Sequence, residues 1–138
     1  MNMQVQVYTR GQGLYEFTDH VRSHVARWHA ATTTHEGLCT LFIQHTSASL
    51  LIQENADPSA KHDLEAWLKR LVPENDPAYT HTAEGPDDMP AHLKAAMTPV
   101  SLSLPIMDGK LALGRWQGIY LWEHRSTPHT RTVVIHVA

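Results

Sequence analysis

Eleven histidines stand in this chain of 138 residues, and three of them lie where carboxylates and hydroxyls crowd together. His45-Thr46-Ser47-Ala48-Ser49, followed by Gln53-Glu54-Asn55-Ala56-Asp57, puts imidazole, hydroxyl and carboxylate groups at the exit of an apolar run. Between Tyr79 and Lys94, His81 and His92 flank Glu84, Asp87 and Asp88. Carboxylates suit magnesium or manganese, and imidazoles suit zinc and its neighbours. A divalent-metal centre is therefore one reading of both segments. The spacing follows no strict rule of the His-Glu-x-x-His kind. A satisfied core histidine at His45, helix-capping acids at Asp57 and Asp88, and a solvated acidic loop are the alternatives. A third segment runs from Gly114 to Arg125. On a regular strand, Arg115, Gln117 and Glu123 share a face with Ile119 and Leu121. Polar groups that interrupt an apolar face are costly to bury unpaired, so they point to a ligand, a subunit contact or an internal salt bridge.

Other chemistries find less support. Ser47 and Ser49 lack the Gly-x-Ser-x-Gly elbow of a serine hydrolase, and there is no Walker loop and no Gly-x-Gly-x-x-Gly. His20 and His24, four apart on an expected helix, permit metal binding but read as a solvated face. The single cysteine, Cys39, forms neither an internal disulfide nor a thiolate zinc cage and reads as an inert buried thiol. The net charge is -3 with no basic stripe, which argues against nucleic acid as a partner. Apolar stretches are well short of a membrane span, and Met1-Asn2-Met3-Gln4 carries no secretory pattern. The cytoplasm is the expected compartment. With 42% hydrophobic and 18% charged residues, residues 1–138 read as one globular domain.

The elements that must position these groups follow from periodicity. Gln4 to Thr9 alternates as a strand, and Gly11 and Gly13 break it. A helix follows with Thr18 as its N-cap and Val21, Val25 and Trp28 on one side. Leu38 to His45 is a second strand, placing Cys39, Leu41, Ile43 and His45 on one face, with Leu50 to Gln53 as a short continuation after a bend. Asp57-Pro58 starts a helix whose stripe is Leu64, Trp67, Leu68 and Leu71, stopped by Pro73. Residues 73–88 form an ordered loop, and a third short helix starts near Asp88-Pro90 and runs to Met97. Val100 to Ile106 is a half-buried strand, Asp108-Gly109 a hairpin turn, Lys110 to about His124 the return strand, and Arg131 to Val137 the last. The class is α+β, with helices on one side of a mainly antiparallel sheet.

Taken in order, these segments resemble the YjbQ-like family, whose members are often called secondary thiamine-phosphate synthases. The residues that carry the resemblance are His45-Thr46-Ser47-Ala48-Ser49, Glu54-Asn55-Ala56-Asp57-Pro58, His62-Asp63, His81, Glu84 to Lys94, Leu104-Pro105, Leu113 to Ile119, and Glu123-His124-Arg125. Arg115 stands where many members carry a smaller residue. The resemblance implies a large curved sheet with two or three helices, a homotrimer, and the joining of a pyrimidine pyrophosphate to a thiazole phosphate. It implies His45, His81 and His92 as ligands of a divalent metal (zinc, magnesium or manganese), and Glu54, Asp88 and Glu123 as catalytic groups. Ser47, Asn55, Lys94, Arg115 and Gln117 are then the expected contacts to a small phosphorylated substrate, with the helix start near Pro90 donating N–H groups to a phosphate. A metal-dependent hydrolase and a non-enzymatic trimeric metal- or anion-binding module are the rival readings.

Overall fold

The computed structural model describes all residues, 1–138. Its elements run β1 (Asn2–Thr9), β2 (Gly13–Glu16), α1 (Thr18–Thr32), β3 (Gly37–Ile43), β4 (Ala48–Glu54), α2 (Pro58–Leu71), α3 (Asp88–Met97), β5 (Ser101–Met107), β6 (Lys110–Leu111), β7 (Gln117–Glu123) and β8 (His129–Val137). Every strand pair is antiparallel. The strongly curled sheet divides into a five-stranded part, ordered β1-β8-β3-β5-β6, and a three-stranded part, ordered β2-β7-β4.

Alternation builds the core. Val5 and Val7 of β1, Cys39, Leu41 and Ile43 of β3, Leu104 and Ile106 of β5, and Val133, Ile135 and Val137 of β8 all point inward. They meet Ala48 and Leu50 of β4, Ile119 and Leu121 of β7, and Val21, Val25 and Trp28 of α1. Each fully buried Leu, Ile or Val in this set contributes roughly 1.5–3 kcal/mol. The other face of β7 presents Tyr120 and Trp122 to Leu14 of β2 and Leu68 of α2. Covered on both sides, β7 is buried from Gly118 to Glu123. Cys39 is wholly buried, and burial pushes its thiol up to about 11, so it is inert.

Local chemistry sets the ends of the elements. The Asp57 carboxylate accepts the Ser59 N–H at 2.9 Å, with Pro58 at the first helical position, so α2 begins where expected. At α1 the structure differs. Thr18 is the first helical residue, not its cap. Its hydroxyl donates to Glu16 Oε2 at 2.7 Å and accepts the Ile119 N–H at 2.8 Å, tying the helix to β7 instead. His24 points inward rather than to solvent, with Nδ1 unpartnered.

Three strand expectations also change. β3 stops at Ile43, so His45 lies in the bend beyond it and not on the inward face of a strand. The segment after that bend is β4, which pairs with β7 in the other part of the sheet. The expected return strand from Lys110 is two strands. Asp108 and Gly109 have φ of 50° and 75°, the left-handed pair of a tight hairpin turn, and β6 ends after two residues. A turn held by Gly114 N–H donating to Gln117 Oε1 at 2.8 Å then carries the chain across to β7.

One ion pair joins the two parts of the sheet. Glu123 of β7 is fully buried, and it faces Arg131 of β8 and Thr9 of β1. Arg131 Nε donates to Glu123 Oε1 at 2.8 Å and Nη2 to Oε2 at 2.6 Å, and Thr9 Oγ1 adds a 2.7 Å bond. Burial alone would raise the Glu123 pKa, but the bonds from Arg131 and Thr9 outweigh it and hold the carboxyl below its ordinary value. Its contribution is present above the unfolded value near ~4.3 and is lost as pH falls through the folded value. Removing one partner strands a buried charge, so Arg131→Met is expected to lower stability by about 3–5 kcal/mol in urea denaturation. Glu123→Gln is expected to lose the part of the acid-induced destabilisation that wild type shows below pH ~4.

Candidate metal centre

Helix α3 opens with Asp88, and the α-helical repeat places His92 on the same face one turn later. The loop of residues 73–87 carries His81 back over this face. His81 Nε2 lies 2.6 Å and His92 Nε2 3.2 Å from Asp88 Oδ2. The two imidazole rings sit with centroids 5.4 Å apart. One donor atom from each of the three residues lies within 4.8 Å of the other two.

Asp88 is fixed from behind. Arg125 Nη1 donates to its Oδ1 at 2.8 Å, while Arg125 Nε donates to Asp87 Oδ2 at 2.9 Å and Nη2 to the Glu84 carbonyl at 2.9 Å. Burial pushes the Asp88 pKa up. The hydrogen bond from His81 and the positive charges of His92 and Arg125 more than reverse this, so the carboxyl stays ionised. His92 Nδ1 is 3.1 Å from the Thr46 carbonyl, which only accepts. With Nδ1 donating to that carbonyl, Nε2 is the atom turned toward Asp88: protonated it pairs with the carboxylate, and deprotonated it offers its lone pair to a metal ion. A carbonyl orienting a ligand imidazole in this way is the usual second contact of a metal-bound histidine.

These observations fit a divalent ion. Two imidazoles and one ionised carboxylate converge, Asp88 is buried, and His81 keeps a side-chain exposure of 45%, leaving a way in from solvent. Three protein donors with an open side is the arrangement of catalytic rather than structural sites.

The structure sorts the other expected residues into three groups. His45 is close to the cluster in the chain trace but outside it. Its Nδ1 accepts the Ser47 N–H at 3.0 Å, so the neutral ring carries its proton on Nε2 and offers no lone pair there. Asp88 takes the place expected of His45 in the donor set. Ser47 is buried, and its N–H serves this bend. Glu123 is the buried partner of Arg131, and its Oε2 also accepts the N–H groups of His124 and Arg125 at 3.1 and 3.2 Å. With both oxygens used and no exposure, it is a positioning residue and not a catalytic base.

Glu54, Asn55, Arg115 and Gln117 lie at the opposite end of β7 from Glu123, six residue steps or about 20 Å away. There Gln117 caps its turn, Asn55 Nδ2 donates to Glu16 Oε2 at 3.2 Å, and Arg115 stacks on the exposed Trp116 at 4.6 Å. None reaches the His81–Asp88–His92 cluster. Lys94 is in the last turn of α3 on the flank away from His92. At the start of that helix stand the carboxylates of Asp87 and Asp88, both paired with Arg125, and their negative charge disfavours the expected phosphate there.

Sequence reasoning flagged Asp87 as one of three carboxylates between the histidines but gave Arg125 and His124 no role in the site. His124 is buried, and burial, with the nearby Lys94 charge, lowers its pKa to about 3. Its Nε2 lies 2.9 Å from Ser49 Oγ, which is 2.7 Å from Thr98 Oγ1, itself 2.7 Å from the Lys94 carbonyl. Because the carbonyl only accepts, Thr98 donates to it, Ser49 donates to Thr98, and His124 donates to Ser49. The signal for Arg125 was its place beside Glu123 and His124 in a run buried on both faces, where a guanidinium needs partners.

An antiparallel curled sheet with three helices and an open two-histidine, one-carboxylate cluster defines a class of small α+β proteins with a candidate metal centre. Residues 3–138 match the family model described as "UPF0047 protein YjbQ-like". The chain is 48% identical over 132 residues to UPF0047 protein sll1880 of Synechocystis, covering 96% of this chain and 87% of the relative. It is 41% identical over 125 residues to UPF0047 protein YjbQ of Escherichia coli O157:H7, covering 91% and 88%. Among solved structures, a YjbQ/UPF0047 family protein of Clostridium acetobutylicum superposes with a TM-score of 0.85 at 31% identity, over 99% of both chains. The conserved hypothetical protein TT1486 of Thermus thermophilus superposes with a TM-score of 0.84 at 34% identity, also over 99% of both. The chain belongs to the UPF0047 YjbQ-like family.

Two measurements check the site. Elemental analysis of protein purified without chelator is expected to show about one divalent ion per chain. That ion should be lost in His92→Ala and Asp88→Asn and retained in His45→Ala. In a histidine NMR titration, the His124 ring is expected to stay neutral from pH 8 down to pH 5, since its folded value is about 3. The unfolded chain takes up that proton below ~6.5, so His124 makes stability fall, by up to ~1.4 kcal/mol per pH unit, as pH drops from there.

Proposed function

We propose that this protein is a divalent-metal-dependent enzyme acting on a small phosphorylated substrate, with the thiamine-phosphate-forming condensation as its reaction. The observation that carries the reading is the convergence of His81, Asp88 and His92 on an accessible face. When bound there, a divalent ion supplies neutralisation of charge on the oxygens of a departing pyrophosphate. The chain's own contribution is preorganisation. Arg125 holds Asp88 ionised and in place, and the Thr46 carbonyl sets the His92 tautomer. His81, on the 73–87 loop, closes the third side. The helix of Asp88 and His92 is rigidly seated, because Asp88, Ala91 and Ala95 bury one stripe of it. The family resemblance supports the pyrimidine pyrophosphate and thiazole phosphate as the pair to test, and a homotrimer as the assembly.

The test is an assay of thiamine phosphate and pyrophosphate formation with and without the thiazole phosphate acceptor, across added zinc, magnesium and manganese. Product formation that requires both the acceptor and metal is expected, and His92→Ala or Asp88→Asn should reduce kcat by about 100-fold or more. Phosphate or pyrophosphate release without acceptor would instead make the protein a metal-dependent hydrolase. Saturable ligand binding with no turnover under any metal would make it a binding module.

A further inference from the structure

Five charged side chains are buried in this chain: Asp87, Asp88, Lys94, Glu123 and Arg131. Asp87 and Asp88 are held by Arg125, and Glu123 and Arg131 hold each other. Lys94, 4% exposed, has no carboxylate within 4.0 Å. The sole polar contact of its ammonium is a long one, 3.5 Å to Gln12 Oε1. A buried charge with so little to compensate it is costly. The expense makes physical sense where the missing partner is a ligand.

The surroundings have the form of a site. Lys94 lines a pocket of about 450 Å³ with Gln12, Lys69, Val72, Glu74 and Ser126, a volume within the range of small-ligand sites. Gln12 is not free to swing away, because its Nε2 donates to Ser126 Oγ at 2.9 Å. Ser126 is anchored in turn by its N–H to Asp87 Oδ2 at 2.9 Å. Lys69 brings a second ammonium, also without an ion-pair partner, and Glu74 a single carboxylate that pairs with neither lysine. The lining is therefore net positive by one charge, two lysines against one glutamate. A small adjoining void is lined by both lysines together with the neutral His124 and two carboxylates, Glu65 and Glu123. Neither carboxylate pairs with a lysine: Glu65 Oε2 accepts the Leu14 N–H, and Glu123 is held by Arg131.

We infer that this pocket is an oxyanion site, taking the phosphate or diphosphate group of a small ligand between Lys94 and Lys69, with Gln12 and Ser126 as polar walls. It is distinct from the metal centre. Lys94 follows His92 by two residues, about 200° around the helix, and so faces the other flank of α3. The Asp87–Arg125–Asp88 cluster stands between the two. The inference holds whether or not His81, Asp88 and His92 bind a metal.

Calorimetric titration of EDTA-treated, full-length protein with inorganic phosphate and with inorganic pyrophosphate tests it. One saturable site per chain is expected for at least one of the two anions. Lys94→Met should weaken it by about tenfold or more and Lys69→Glu by a similar factor, while His92→Ala leaves it unchanged. Lys94→Met should also melt at a higher temperature than wild type without ligand, because it removes an uncompensated buried charge. Should that variant fail to fold, Lys69→Glu, on the exposed rim, decides alone. Absence of saturable binding up to about 10 mM, unchanged affinity in the lysine variants, or loss of binding in His92→Ala would each overturn the inference.

Discussion

The Glu123–Arg131 pair is the constraint from which the rest of the site is built. It crosses from the three-stranded to the five-stranded part of the sheet inside the core, where a fork-to-carboxylate geometry is required to offset desolvation. Glu123 does more than neutralise Arg131. Its second oxygen receives the next two backbone N–H groups, and so dictates how the chain leaves β7. That exit aims the Arg125 guanidinium at Asp87 and Asp88 and turns His124 inward toward Ser49. From Arg131 to His92 the order is continuous: arginine to glutamate, backbone to arginine, arginine to aspartate, aspartate to histidine.

Much of the fold was legible in the sequence because its signals are local. Asp57-Pro58 started α2, Pro73 lay beyond its end, Asp108-Gly109 made a tight turn, and α3 covered Asp88 to Met97. What was not legible is non-local. Apolar alternation alone does not reveal that β4 and β7 leave one part of the sheet for the other, because that depends on pairing partners distant in the chain. His45 was placed on a strand face by extending a period-2 pattern two residues past Ile43, where the backbone had already bent.

The site was partly legible for the same reason. His92 and Asp88 share a helix, so their spacing fixed their proximity, and His81 was flagged by its place beside the acidic segment and by the family resemblance. Glu123 and Gln117 do share strand parity, but parity says nothing of distance along the strand, and they lie at opposite ends of β7. Asn55, Glu54 and Arg115 fall with Gln117 at the far end. Glu123 was correctly expected to need a partner, and the partner, Arg131, sits across an intervening turn and on a different sheet part.

His81 reaches its place on a loop, whereas Asp88 and His92 are set by a seated helix. For a divalent ion held here, the helix would supply two donors whose positions are preset by its seating. The third donor, on the solvent side, would depend on how residues 73–87 fold. Variation in that loop among proteins with the same helix would then alter the third donor while leaving the first two in place.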